Sequence, residues 1–258
     1  MLSFLSGAVR LAYWDFPAET GADIVAKTPI VLVHGFASNH AVNWVNTQWV
    51  KVLTRAGRRV VALDNRGHGQ SEKLYDPQDY HANIMATDVR NLLNHLNIQH
   101  ADLMGYSMGA RISAHFNLLF SDRVRATLLG GLGIHLVEGV GLPLGIADAM
   151  EAPSAAQLTD PMQRMFRLFA EQTGSDLRAL AACIRGSRQT LTPAEAAQLK
   201  GPVHIAVGSQ DEVAGDPHRL AALIPGAVAF SIEGRDHNLA VGDRTHKEAV
   251  LAFLSALD

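Results

Sequence analysis

Gly105-Tyr106-Ser107-Met108-Gly109 joins a short apolar run, Ala101-Asp-Leu-Met104, to a segment with apolar residues at helical spacing, Ala110 to Phe120. A serine on so tight a strand-to-helix turn must take a strained backbone, and side chains two positions away would collide with the adjoining elements. Glycine on both sides removes that obstacle. The turn lifts the Ser107 hydroxyl above a sheet edge and sets a helix N-terminus behind it. Five positions with three fixed arise by chance in a chain with 22 glycines, so the flanking pattern carries the weight.

The same rhythm extends in both directions. Ile30-Val-Leu-Val33, Val60-Val-Ala-Leu63, Ala126-Thr-Leu-Leu129 and Val203-His-Ile-Ala-Val207 are β-rich and bounded by Gly, Pro or polar turns. Such unbroken apolar runs suit strands of a parallel sheet buried on both faces. Arg10 to Asp15 alternates like a strand, and Val228 to Ile232 reads as the last one. Helical spacing covers Val42 to Ala56, Ile84 to Leu96, His218 to Ile224 and Thr245 to Leu257. Strand–helix alternation over the whole length implies one doubly wound α/β domain, residues 1–258.

From about residue 134 to 193 the strand-like runs stop. A Gly- and Pro-punctuated apolar stretch, Leu136 to Ile146, precedes helical patterns at Pro161 to Glu171 and Leu177 to Arg185. The segment is predicted to be a helical cap over the C-terminal edge of the sheet, where ligands sit in such folds. Extra helices packed on the core are the plainer alternative. Met162, Met165 and Phe166, together with Phe36, are the candidate substrate contacts, because Met and Phe adapt to varied apolar shapes.

A serine hydroxyl needs a base to take its proton. Of twelve histidines, His237 stands in the loop Glu233-Gly-Arg-Asp-His237, directly after the last predicted strand and at the same sheet edge as Ser107. Most others fall within helical patterns, such as His95 and His115, or within a strand, such as His204. The third member must hold the imidazole tautomer. Val207-Gly-Ser-Gln-Asp211 places an acid just past the penultimate strand, with Glu212, Asp216 and Asp236 as its competitors. Asp211 is the first of these past the strand end. The backbone N–H groups of Met108 and of Phe36, in His34-Gly35-Phe36, are the candidate oxyanion donors. His34 reads as a brace for its loop, and no metal site is predicted around it. Asp64-Asn-Arg-Gly-His-Gly-Gln-Ser71 reads as a tight loop tied by Asp64 and Arg66; it lacks the third glycine of a phosphate cradle.

Bulk properties exclude several classes. With 48% hydrophobic and 18% charged residues, the chain suits a compact globule. A formal net charge of −3 gives no electrostatic reason for a nucleic-acid or anionic-membrane partner. No stretch approaches the roughly 18 apolar residues of a membrane span. The single cysteine, Cys183, allows no internal disulfide and reads as a small buried apolar residue. A cytoplasmic location, as monomer or homodimer, is the expectation.

These landmarks, His34-Gly35-Phe36, Asp64-x-Arg66-Gly67-x-Gly69-x-Ser71, Gly105-x-Ser107-x-Gly109, Asp211 and His237, resemble in their order those of the α/β-hydrolase superfamily. Val9-Arg-Leu-Ala-Tyr13 is similar to the first strand of that family. The resemblance implies an eight-stranded, mostly parallel sheet with helices on both faces, a Ser–Asp–His triad, a two-amide oxyanion hole and no cofactor. Relatives that open epoxides or dehalogenate carry Asp where this chain has Ser107. Carbon–carbon bond hydrolases of the family tend to carry Trp after the histidine, where this chain has Asn238.

The function expected from these readings is hydrolysis of small carboxylic esters with a hydrophobic part, through an acyl-enzyme. A C–C hydrolase, lactonase, thioesterase or cofactor-free perhydrolase would use the same triad. A ligand-sensing receptor on the same fold is the alternative of another class.

Overall fold

The computed structural model describes residues 1–19, 27–139 and 141–258; Val140, inside the predicted inserted segment, lies outside the described residues. Among the described residues the strands are β1 (Leu2–Ser6), β2 (Val9–Phe16), β3 (Lys27–Val33), β4 (Arg58–Leu63), β5 (Ala101–Tyr106), β6 (Val124–Gly130), β7 (Val203–Gly208) and β8 (Val228–Ile232). They form one sheet in the order β1-β2-β4-β3-β5-β6-β7-β8. Every pairing from β4 to β8 is parallel, while β2 runs antiparallel to both β1 and β4. The α-helices are α1 (Trp49–Arg55), α2 (Ala82–His95), α3 (Met108–Leu119), α4 (Gly145–Glu151), α5 (Pro161–Gln172), α6 (Leu177–Gly186), α7 (Pro193–Ala196), α8 (Pro217–Ala221) and α9 (Arg244–Ser255).

Burial on both faces explains the unbroken apolar runs. Val31, Val33, Val61 and Leu63 share a core with Val89 and Leu92 of α2 and Ile112 and Phe116 of α3. The intervening Ile30, Leu32, Val60 and Ala62 point the other way, onto Trp49 and Leu53 of α1 and Val250 and Leu254 of α9. The strand period of two thus feeds two separate cores. This is the α/β-hydrolase fold. Among the described residues, no helix is long and apolar enough to cross a membrane.

Two local expectations are corrected. The helix predicted over Val42 to Ala56 is broken: a single π turn (Ala41–Val45) is followed by Gln48 at φ +68°, and α1 begins only at Trp49. Neither glycine nor proline marks that break. Strand β1 goes unforeseen because Leu2 and Leu5 face solvent while Ser6 faces in, where its hydroxyl meets Asp88. A two-residue turn, Gly7-Ala8, returns the chain into β2, with Gly7 at φ +63°.

Between β6 and β7, α4 packs on α5 and α6. Arg167 of α5 is buried and donates to the carbonyls of Ala149 and Ala152, which holds α5 to the end of α4. This helical segment reaches the loop after β3: the Phe166 and Phe36 rings are 6.2 Å apart, and Thr173 Oγ1 donates to the Ala37 carbonyl.

Several histidines are buried and held neutral. Burial pushes His68 down to about 3, helped by His34 beside it; burial likewise brings His115, His204 and His246 down to about 4, from an ordinary 6.5. Below pH 6.5 the unfolded chain takes up protons that the native chain refuses, so their stabilisation is complete above 6.5 and is lost as pH falls toward 4. Urea unfolding is expected to show stability dropping from pH 7 to pH 5. His204→Gln should make that slope shallower by up to about 1.4 kcal/mol per pH unit. An unchanged slope would mean that His204 titrates freely inside the fold.

Candidate active site

The turn after β5 is built on backbone contact. A Cβ on Gly109 would lie 1.9 Å from the Val33 carbonyl oxygen, and one on Gly105 would lie 2.1 Å from the Gly109 oxygen. Only hydrogen fits at either place. Ser107 itself takes φ +54° and ψ −113°, a conformation that L-residues avoid. Its N–H is anchored on the Gly130 carbonyl of β6 at 2.8 Å. Gly35, after β3, lies against the Tyr106 carbonyl and the Ser107 Cβ. The loops after β3 and β5 therefore meet at the serine.

Three side chains, distant along the chain, form one hydrogen-bonded line. Ser107 Oγ is 3.0 Å from His237 Nε2, and His237 Nδ1 is 2.7 Å from Asp211 Oδ2. The other oxygen, Asp211 Oδ1, accepts the backbone N–H groups of Val213 and Ala214 at 2.9 and 3.0 Å. An ionised carboxylate only accepts, so Nδ1 carries the proton and the Nε2 lone pair faces the serine hydroxyl. The Asp211 side chain is fully buried. The competing acids are engaged elsewhere or exposed. Asp236 Oδ1 accepts from the Asn238 and Leu239 amides, Asp216 caps α8, and Glu212 points to solvent.

One participant has no signal in the sequence. The Tyr106 hydroxyl donates to the His237 backbone carbonyl at 2.6 Å, which ties the histidine loop to the strand that carries the serine. Burial, with Asp211 and Asp236 nearby, pushes this phenol well above its ordinary range, so it stays a donor.

Phe36 and Met108 both border the space in front of Ser107. Among the described residues neither backbone N–H has a protein acceptor, which leaves both free to receive a developing oxyanion. His34 braces its loop instead: Nδ1 donates to the Gly35 carbonyl, and Nε2 accepts the Asn65 N–H. Its burial lowers its basicity. Asp64 accepts from the His40 N–H, the His40 ring and the Gln70 N–H, while Arg66 grips both oxygens of Asp88. Among the described residues, no group of three His, Cys, Asp or Glu side chains is disposed to hold a metal ion. Cys183 is buried, its thiol pushed up to about 12 by burial, with its sulfur against Met108.

Two compartments meet at Ser107. The larger, about 350 Å³, includes His237, Phe36, Phe166, Phe169, Val42 and Val241. Phe36 and Phe166 were expected there; Phe169, Val42 and Val241 were not. Met162 and Met165 do not line it, which corrects their assignment. Met162 is one turn earlier on the inward stripe of α5 and packs on the core. Met165 lies on the outer face, 40% exposed, in an external groove with Pro161 and Leu168. The smaller compartment, about 30 Å³, brings Ser107 and Met108 together with Arg111, Ser187 and Arg188.

A family model described as the alpha/beta hydrolase fold matches residues 28–138. An esterase from Exiguobacterium antarcticum superposes with a TM-score of 0.78 over 99% of this chain and 100% of that one, at 17% identity, a likeness of fold. The chain thus shares the α/β-hydrolase fold, and residues 28–138 are similar to that family. It is similar to the dihydrolipoyllysine-residue acetyltransferase component of the acetoin cleaving system of Pseudomonas putida, 39% identical over 130 residues, 49% of this chain and 32% of that protein. It is also similar to 2-hydroxymuconate semialdehyde hydrolase of Pseudomonas sp. (strain CF600), 31% identical over 151 residues, 57% of this chain and 50% of that protein. The match thus spans half or less of these curated relatives' lengths.

Strain at the serine gives a direct test. Alanine ordinarily outranks glycine by about 0.5–1 kcal/mol in ordered backbone. At this turn the order should reverse, with Ser107→Gly more stable than Ser107→Ala by about 1 kcal/mol in urea unfolding. Equal or greater stability of the alanine variant would show an unstrained turn.

Proposed function

We propose that this chain hydrolyses small carboxylic esters with a hydrophobic part through an acyl-enzyme on Ser107. The observation that carries this reading is the continuous Ser107–His237–Asp211 line, beside which stand two amides, of Phe36 and Met108, that have no protein acceptor among the described residues. His237 Nε2 takes the hydroxyl proton as Ser107 Oγ bonds to the ester carbonyl carbon. The carbonyl oxygen becomes an oxyanion held by the Phe36 and Met108 N–H groups. Collapse of the tetrahedral species breaks the bond to the alkoxide, which leaves with the proton from His237. Water then gives a proton to His237 and adds to the acyl carbon; the acid departs and Ser107 Oγ recovers its proton. Asp211 keeps the imidazole oriented and stabilises its charged form throughout.

The helices between β6 and β7 act in this reading as a cap that supplies an apolar wall through Phe166 and Phe169. A carbon–carbon bond hydrolase is the second reading, favoured by similarity to 2-hydroxymuconate semialdehyde hydrolase. Asn238 in place of the family's Trp weighs against it.

On p-nitrophenyl acetate and butyrate, Ser107→Ala should lower kcat/KM by about 10³ or more, and His237→Gln comparably. Near-wild-type turnover by the Ser107 variant would overturn the assignment. Turnover of a vinylogous 1,5-diketone with no turnover of either ester would move the reading to C–C hydrolysis.

A further inference from the structure

The two compartments differ in charge. The larger holds His237 and an apolar wall and, among the described residues, no Arg, Lys, Asp or Glu lines it. The smaller is lined by two arginines, Arg111 and Arg188, and not by His237. Arg111, on the first turns of α3, is 4% exposed, and its Nη atoms donate to the carbonyls of His135, Leu136, Gly139 and Gln189. These dipoles fix the cation without neutralising it. Arg188, in the loop after α6, donates from Nη1 to the Leu142 carbonyl. Its Nε and Nη2 have no protein acceptor among the described residues. Among those residues no carboxylate lies within 4.0 Å of either guanidinium. Burial lowers both basicities, Arg111 to about 10 with Arg188 adding to the effect, yet both are charged at neutral pH. Arg111 is buried and Arg188 half-buried, and with no acidic partner among the described residues the pair favours an anion beside it.

Size and position specify the anion. A volume of about 30 Å³ admits a small anionic group and no bulky one. Because His237 must protonate the departing alkoxide, the alcohol belongs in the compartment that contains His237. The acyl chain then points into the other. We propose that the substrate's acyl part ends in a carboxylate held by Arg188 and the fixed charge of Arg111, making it a monoester of a short dicarboxylic acid with an apolar alcohol. This rests on the hydrolase reading of Ser107. Water adds across the single ester bond, releasing the diacid and the alcohol, and no other reactant is needed.

The test compares benzyl hemisuccinate with benzyl butyrate, which share the alcohol and differ in the terminal carboxylate. Benzyl alcohol release is followed chromatographically, and a fluorophosphonate label reports Ser107 independently. Wild-type kcat/KM should favour the hemisuccinate by about tenfold or more, the effect of one charge-assisted contact. Arg188→Gln should reduce the hemisuccinate-to-butyrate ratio by about tenfold, and Arg188→Lys should restore part of it. A wild-type ratio at or below one, a ratio unchanged in Arg188→Gln, or a labelled Ser107 with neither ester cleaved would overturn the anion pocket alone. Absence of both labelling and turnover would sink the hydrolase reading, and this inference with it.

Discussion

The Gly109 α-carbon and the Val33 carbonyl oxygen sit so close that a single methyl group could not stand between them. That contact lets α3 start immediately above the sheet, in register with the end of β3. From it follow the sharp reversal at Ser107, the seating of Gly35 against the serine, and the shared space in front of the Phe36 and Met108 amides. A wider separation would carry the serine out of reach of the loops that complete the site. Strain at one residue is the cost, and the Gly130 anchor from β6 holds it in place.

Once the serine is placed, the sheet does the rest by parallelism. β3, β5, β7 and β8 all end at one edge, so residues 35, 107, 211 and 237 converge although 202 positions separate the first from the last. Tyr106 adds a stiff link, bonding the His237 main chain to the strand just before the turn. At the opposite edge, Arg58, Asp102 and Arg125 form a buried ionic cluster, with Asp102 accepting at 2.9 and 2.7 Å.

How much of this was legible follows from which forces act locally. Strands buried on both faces announce themselves as unbroken apolar runs, and the glycines flanking Ser107 announce a turn that tolerates no side chain. Asp211 stood out by position against Glu212, Asp216 and Asp236, and the geometry sets those three apart from the histidine. Other features depend on partners far along the chain. β1 hides because its inward Ser6 is satisfied by Asp88, 82 residues away. The break at Gln48 involves neither glycine nor proline. Met162 and Met165 share α5 with Phe166, and only the rotation of that helix against its neighbours decides which of them sees the cavity. Arg111 and Arg188 look like ordinary helix and loop cations until folding brings them together without an acid.

The two oxygens of Asp211 carry different duties: one is pinned by the Val213 and Ala214 amides and the other faces the imidazole. A carboxamide of the same shape would keep its oxygen on the pinned side, where two donors await it, and would turn its NH₂ toward the ring. Donor would then confront donor. The imidazole would escape by moving its proton to the far nitrogen, the one aimed at the serine, and the site would stand fully assembled with its polarity reversed. Replacing one oxygen by nitrogen thus takes away the imidazole lone pair that faces Ser107 while keeping the outline of the site, and a shape comparison of the two forms would register no difference.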